Sequence, residues 1–154
     1  MVLSTEQKQS FANLFSFIYK DNALAVKLSF ELLHVAHVWD DLIDGDEVSV
    51  KDINRAFLTA LVDIPSNPLW DAELQANLVS TYLKWTTANV IESQHKEDAN
   101  ALAQAWMLRS SIYDMFVIIA KKIHGIEWAE VIGISVRLHY GETLEQFISE
   151  VQNA

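Results

Sequence analysis

The chain has 154 residues, of which 51% are hydrophobic, and its formal net charge is −10 at pH 7. This length and composition suffice for one continuous core, so we expect a single domain over residues 1–154. The acidic balance argues against binding to nucleic acid or to an anionic membrane surface, because both require clustered Lys and Arg. The absence of Cys excludes disulfides, thiolate zinc sites and cysteine nucleophiles.

The sequence contains only four Gly and two Pro, so turns are few and the elements between them are long. This composition favours helices over a strand-rich fold. No stretch approaches the roughly 20 apolar residues of a membrane span, and the opening MVLSTEQKQS lacks the pattern of an export signal. We therefore expect a soluble protein that is cytoplasmic and has no targeting segment.

Periodicity and capping residues predict six helices in chain order. Their approximate ranges are 5–20, 23–43, 49–64, 68–97, 98–125 and 127–139, followed by a short amphipathic tail over 143–151. Short connections between long helices produce antiparallel neighbours. The predicted fold class is therefore all-α, an up-and-down bundle of about six helices.

The end of the second predicted helix carries the sequence HVWDDLIDGDE, residues 37–47, in which Asp40, Asp41 and Asp44 have DDxxD spacing. At about 100° per residue, these three aspartates and His37 fall on one face of the helix. Because this helix is apolar nearly all round, we expect it to be buried and its acids to point into a space between helices. Carboxylates at a helix C-terminus repel one another and the helix dipole, so the pattern predicts a cation nearby.

The fourth predicted helix carries a second polar set at its C-terminal end. Asn89, Ser93 and Glu97 are spaced by four residues and share one side of the helix, with Glu92 at its border. Helices two and four run in the same direction in an up-and-down bundle. We therefore expect both polar sets at the same end of the molecule.

DDxxD followed by NxxxSxxxE resembles the two Mg²⁺-binding motifs of class I terpenoid and isoprenoid synthases. The resemblance implies that Mg²⁺ or Mn²⁺ holds a diphosphate at this site. The metal ligands that it implies are Asp40, Asp41, Asp44, Asn89, Ser93 and Glu97, with Glu92 as a further candidate. The sequence departs from the family pattern at Val90, where the second motif usually has an acid, and the chain is about half the length of those enzymes.

A diphosphate ligand also requires positive or hydrogen-bonding side chains. The candidates are Arg55 in the third helix, Arg109 in the fifth and His37 in the second, although simple ion pairs between the arginines and the aspartates are an alternative. These residues complete the first functional hypothesis, which is metal-dependent binding or hydrolysis of a diphosphate-containing substrate. The all-α nucleoside triphosphate pyrophosphatases are similar in using helix-borne acids to hold Mg²⁺.

Two Glu-x-x-His pairs suggest a different metal chemistry. Glu31 with His34 and Glu92 with His95 resemble half of a ferritin-like di-iron site. That site needs a Glu from each of two further helices, and the third predicted helix contains none. The di-iron hypothesis is therefore weaker than the Mg²⁺ hypothesis.

The second functional hypothesis involves no catalysis. Small, acidic, Cys-free all-α chains resemble many uncharacterised bacteriophage and prophage proteins, which implies an accessory or assembly factor that works by protein contact, in the host cytoplasm if a phage encodes it. The aromatic-rich helices also favour a homodimer. The sequence leaves open whether the protein is an enzyme.

Overall fold

A computed structural model describes residues 4–153, and these residues form helices and turns without a β-strand. The prediction of an all-α helical bundle is confirmed. The helices are α1 (Thr5–Tyr19), α2 (Ala23–Asp44), α3 (Val50–Leu58) with a π-helical turn (Thr59–Asp63) directly after it, α4 (Ala72–Gln94), α5 (Ala99–Arg109), α6 (Ile112–His124), α7 (Ile126–Leu138) and α8 (Leu144–Asn153).

The helix ends follow from local chemistry. A side-chain oxygen caps each of the first five α-helices by accepting a hydrogen bond from a backbone N–H of the first turn, which satisfies a donor that the helix leaves unpaired. The capping residues are Ser4, Asn22, Ser49, Asp71 and Asp98. Gly45 ends α2 in the left-handed conformation with φ of 80°, which glycine adopts without steric cost.

The predicted helix over 98–125 is divided into α5 and α6 at Ser110 and Ser111, both of which are buried. The Ser110 hydroxyl donates to the carbonyl oxygen of Met107 at 2.9 Å and accepts from Nη1 of Arg137 at 2.6 Å. Serine side chains that bond to nearby carbonyl groups compete with the helical hydrogen bonds. This local competition accounts for the break, which the apolar periodicity does not reveal.

The main core lies between α1, α2 and α6 and is rich in aromatic rings. The Phe15 ring is fully buried, and its centroid lies 4.9 Å from that of Phe116 and 5.1 Å from that of Phe30, both in edge-to-face contact. Beside it, the buried Tyr19 hydroxyl forms a 2.6 Å hydrogen bond with Ser29. Edge-to-face aromatic pairs add about 0.5–1.5 kcal/mol each to the burial of their area. This core fixes the position of α2.

Helices α2 and α4 run in the same direction. Near their starts, Nδ2 of Asn67, in the segment that leads to α4, donates to the carbonyl oxygen of Leu24 at 3.0 Å. Further along both helices, the ring centroid of Trp39 lies 4.1 Å from that of Trp85 and 5.3 Å from that of Tyr82. The C-terminal parts of both helices therefore lie at the same end of the bundle. Within residues 4–153, no helix has both the length and the apolar character needed to cross a membrane.

Candidate functional site

Arg109, the last residue of α5, joins the ends of α2 and α4. Its Nε and Nη2 atoms donate to the two carboxylate oxygens of Glu92 at 2.7 and 2.6 Å, and Nη1 donates to Oδ1 of Asp40 at 2.8 Å. The guanidinium carbon lies 5.1 Å from the ring centroid of Trp85. The side chains of Arg109 and Glu92 are only 15% and 14% exposed. This bidentate, largely desolvated pair is the strongest type of ion pair that arginine forms.

Further carboxyl groups surround this ion pair. Burial raises the pKa of Asp40 and of Asp44 above the ordinary value, and the charge of Arg109 opposes the shift in both cases. Glu142, which accepts a 2.9 Å hydrogen bond from the Tyr140 hydroxyl, also has a pKa raised by burial. Four carboxyl groups, those of Asp40, Asp44, Glu92 and Glu142, therefore lie within electrostatic reach of the single guanidinium of Arg109.

The three acids of the DDxxD motif do not share one space. Asp40 contacts Arg109, whereas Asp41 lines a cleft of about 580 Å³ on another side of α2. The residues that line this cleft are Thr5, Lys8, Gln9, Ala12, Phe30, His34, His37, Val38, Asp41 and Asp52. The side chains of neighbouring residues in a helix point about 100° apart. Helices that pack on different sides of α2 therefore separate Asp40 from Asp41. The expectation of one converged aspartate trio is therefore corrected.

His37, a predicted substrate-binding residue, belongs to the cleft with Asp41 and not to the surroundings of Arg109. Burial lowers the pKa of His34 and of His37, so both imidazoles are neutral at pH 7. Nε2 of His34 and Nδ1 of His37 are buried and have no hydrogen-bond partner among the described residues. These two histidines pack as neutral rings in the wall of the cleft.

Asn89, Ser93 and Glu97 do not form the predicted second polar set. Helix α4 ends at Gln94, so Glu97 lies in the following turn and is exposed. Ser93 is exposed and donates to the carbonyl oxygen of Val90 at 3.0 Å, while Oδ1 of Asn89 is buried without a partner in the described part of the chain. Glu92, which was placed at the border of the set, is the acid that reaches Arg109.

The remaining predicted residues have separate partners. Arg55 pairs with Asp63 at 3.1 Å, so it is not part of the Arg109 cluster. Glu31, a residue of the di-iron pattern, pairs with Lys27 at 2.8 Å. Across residues 4–153, no group of three or more His, Asp or Glu residues is arranged so that it could hold a metal ion. The side chains as placed therefore fit neither the Mg²⁺ set nor the di-iron set.

Sequence reasoning missed the surface formed by α3 and the π-helical turn. This segment packs against α2 through Ala56 and Thr59, which are buried, and Arg55 and Asp63 pair along its side. Its apolar side faces outward. We name this surface the outer face of α3, and it consists of Val50, Ile53, Phe57, Leu58, Leu61 and Val62, each between 37% and 74% exposed.

The spacing of these residues accounts for the shared face. Val50, Ile53, Phe57 and Leu61 follow one another at intervals of three or four residues, which places them along one side of a helix. Leu42 and Ile43 at the end of α2 are also exposed. The sequence signal was the strong amphipathic pattern of residues 50–62, which shows that one side is apolar but not whether that side is covered.

No protein-family model, curated protein or solved structure matches this chain. The class that the fold defines is thus an all-α helical bundle, with an Arg109-centred acidic cluster at one end and an apolar outer face on α3.

Proposed function

We propose that this chain is a non-enzymatic helical protein, an accessory or assembly factor, that works by protein–protein contact through the outer face of α3. The observation that carries the proposal is the orientation of α3, which turns six large apolar side chains to solvent and small or polar ones to the bundle. The overall resemblance to small bacteriophage proteins is consistent with such a role. It would act in the cytoplasm, that of the host if a phage encodes it.

The size of the surface supports a contact role. The exposed apolar area of these six side chains is on the order of 600 Å², at the upper end of the roughly 300–600 Å² of the largest patch on a typical monomer. Burying it would contribute on the order of 15 kcal/mol, against about 4–15 kcal/mol lost in translational and rotational freedom. A partner that covers this face can therefore gain net binding free energy. Packing within the bundle does not require apolar residues at these positions.

The size of the protein in an extract of its natural cells tests this role. We expect the wild-type chain to sediment with a partner, above the 17.5 kDa of the single chain, and the double variant Phe57→Ser, Leu61→Ser to sediment at 17.5 kDa. The matched control is Ile134→Ser on α7, since Ile134 and Phe57 are 68% and 67% exposed. A wild-type chain that sediments alone, or a complex that the double variant retains, would refute the proposal.

A second candidate function is divalent-metal-dependent binding or hydrolysis of a diphosphate at the Arg109 cluster. The observation that favours it is that Asp40 and Glu92, from α2 and α4, converge on one guanidinium, with Asp44 and Glu142 close enough to sense its charge. A Mg²⁺ or Mn²⁺ ion would offset the excess negative charge. Because Arg109 already occupies these carboxylates, the ion would require a rearranged side chain there.

Calorimetric titration with Mn²⁺, in the presence of inorganic diphosphate, tests this second candidate. We expect wild-type protein to bind the ion and the double variant Asp40→Asn, Glu92→Gln to lose binding. The control is Asp41→Ala, which removes a carboxylate that lies in the separate cleft. Absence of binding to the wild type, or equal binding to the double variant, would exclude a metal site at the Arg109 cluster.

A further inference from the structure

We propose that the partner of the outer face of α3 is a second copy of this chain, with the two α3 helices packed antiparallel about a two-fold axis at Phe57. This inference rests on the proposed function, because it names the partner of the same surface. A two-fold interface is isologous, which means that one patch must be complementary to itself. The outer face of α3 meets this requirement at Ile53, Phe57 and Leu61 and at the charged pair Lys51 and Asp63.

Three of the six apolar residues of the outer face are arranged symmetrically about Phe57. Ile53 lies four positions before it and Leu61 four positions after it, and all three are exposed. In an antiparallel pair centred on Phe57, Ile53 of each copy lies level with Leu61 of the other copy. The two Phe57 rings meet at the axis. Apolar side chains therefore meet at the centre of the contact, over Ile53, Phe57 and Leu61, while Val62 comes level with Asp52 of the other copy.

One pair of opposite charges in the segment lies at symmetric positions about Phe57. Lys51 lies six positions before Phe57 and Asp63 six positions after it, so each Lys51 comes level with Asp63 of the second copy. Within its own chain Asp63 pairs with Arg55. The charged residues of 50–63 are Lys51, Asp52, Arg55 and Asp63. Their formal charges sum to zero, whereas the whole chain has a net charge of −10. A second copy can approach this segment with less repulsion than elsewhere on an acidic surface.

The available area is close to what a stable dimer buries. The six residues of the outer face expose apolar area on the order of 600 Å², and a standard interface buries about 800 Å² per partner. Leu42 and Ile43, exposed at the end of α2, can supply part of the difference. Phe57, a large exposed aromatic residue at the centre, has the character of an interface anchor.

The mass of the purified protein in solution, measured by light scattering over a range of concentrations, tests the dimer. We expect the wild-type chain to approach about 35 kDa, twice its 17.5 kDa. We expect Phe57→Ser with Leu61→Ser to weaken dimerisation by about 10- to 100-fold, because each copy loses a central anchor. The control Ile134→Ser should leave the dimer unchanged. Thermal unfolding would verify that the variants remain folded.

The absence of Cys allows a direct test of the register, because any introduced thiol is the only one in its chain. Two single variants, Ile53→Cys and Leu61→Cys, are mixed and oxidised, with a tag on one of them to distinguish the products by mass. We expect the mixed disulfide to form at least about tenfold faster than either homodisulfide, since disulfide geometry demands close Cβ atoms. In the control, Ser149→Cys in α8, which is far from both positions in the sequence, replaces one of the two Cys variants. We expect no preference for the mixed disulfide in that mixture.

The outcomes separate this inference from the proposed function. A purified protein that stays at 17.5 kDa at all concentrations, while its complex in cell extract is lost in the Phe57→Ser, Leu61→Ser variant, would overturn the homodimer and leave the contact function intact. A dimer that forms equally well in that variant, or a preference for the two homodisulfides, would overturn the packing about Phe57. A complex in extract that is unaffected by the variant would overturn both.

Discussion

The Arg109→Ala variant is expected to lose about 3 kcal/mol of the free energy of unfolding at pH 7, because it leaves Glu92 and Asp40 partly buried without their counter-charge. Both carboxylates lose hydrogen bonds of 2.6–2.8 Å, and Asp44 then adds repulsion. The loss should decrease as the pH falls, since burial raises the pKa of Asp40 and of Asp44, and these groups no longer need the arginine charge once they are protonated. Urea unfolding at pH 7 and pH 4.5 measures both effects.

The matched control for this variant is Arg55→Ala. Arg55 also forms an ion pair with an aspartate, but its side chain is 54% exposed, and exposed pairs are worth about 0–1 kcal/mol. Equal losses in the two variants, or a loss in Arg109→Ala that does not depend on pH, would contradict the view that the Arg109 cluster holds α2, α4 and α5 together electrostatically.

We expect Phe15→Ala to lower the free energy of unfolding by about 3–5 kcal/mol. The Phe15 ring is fully buried, and its centroid lies within 5.7 Å of the rings of Phe11, Tyr19, Phe30 and Phe116. Removing it leaves a cavity and deletes these ring contacts at once. Because domains of this size are stable by about 5–15 kcal/mol, the loss is a large share of the total.

Phe17→Ala is the natural control, since Phe17 lies two residues away in α1, is 52% exposed and forms an edge-to-face pair with Trp128. We expect it to cost less than about 1 kcal/mol. Thermal and urea unfolding of both variants would measure the difference. If Phe17→Ala were as destabilising as Phe15→Ala, the core would not be centred between α1, α2 and α6.

The helical fold was predictable because its signals are local. Apolar periodicity, the caps Ser4 and Ser49 and the terminating Gly45 act within a few residues of where they occur. The break between α5 and α6 was not predictable in the same way. The Ser110 hydroxyl that bonds to the Met107 carbonyl also accepts from Arg137, which is distant in sequence, and apolar periodicity shows neither contact.

The acidic cluster was predictable in part. Asp40, Glu92 and Arg109 were all singled out from the sequence, and the structure brings these three together. Asp41 was assigned to the same space because a helical projection places it on one broad face with Asp40, while the positions of neighbouring helices divide that face. Glu97 was assigned to the site because the predicted helix extended three residues beyond Gln94.

The outer face of α3 shows a further limit of sequence reasoning. An apolar stripe is normally interpreted as the buried side of a helix, and here the buried positions are Ala56 and Thr59. Only the packing of α3 against α2 reveals which side is covered. With its apolar side facing solvent, α3 of an isolated chain exposes apolar area to water, which lowers stability. A binding partner that covers this area removes that cost.

The π-helical turn that follows α3 shapes this surface. In a regular α-helix, steps of four residues drift sideways by about 40° each, so a line of side chains spirals around the axis. In the turn, the Ile64 N–H bonds to the Thr59 carbonyl, five residues back, at 2.9 Å, which makes that part of the helix wider and reduces the drift. Leu61 and Val62, the last two residues of the outer face of α3, lie within this wider turn. The outer face of α3 therefore ends on a turn that is wider than a continuous α-helix would provide.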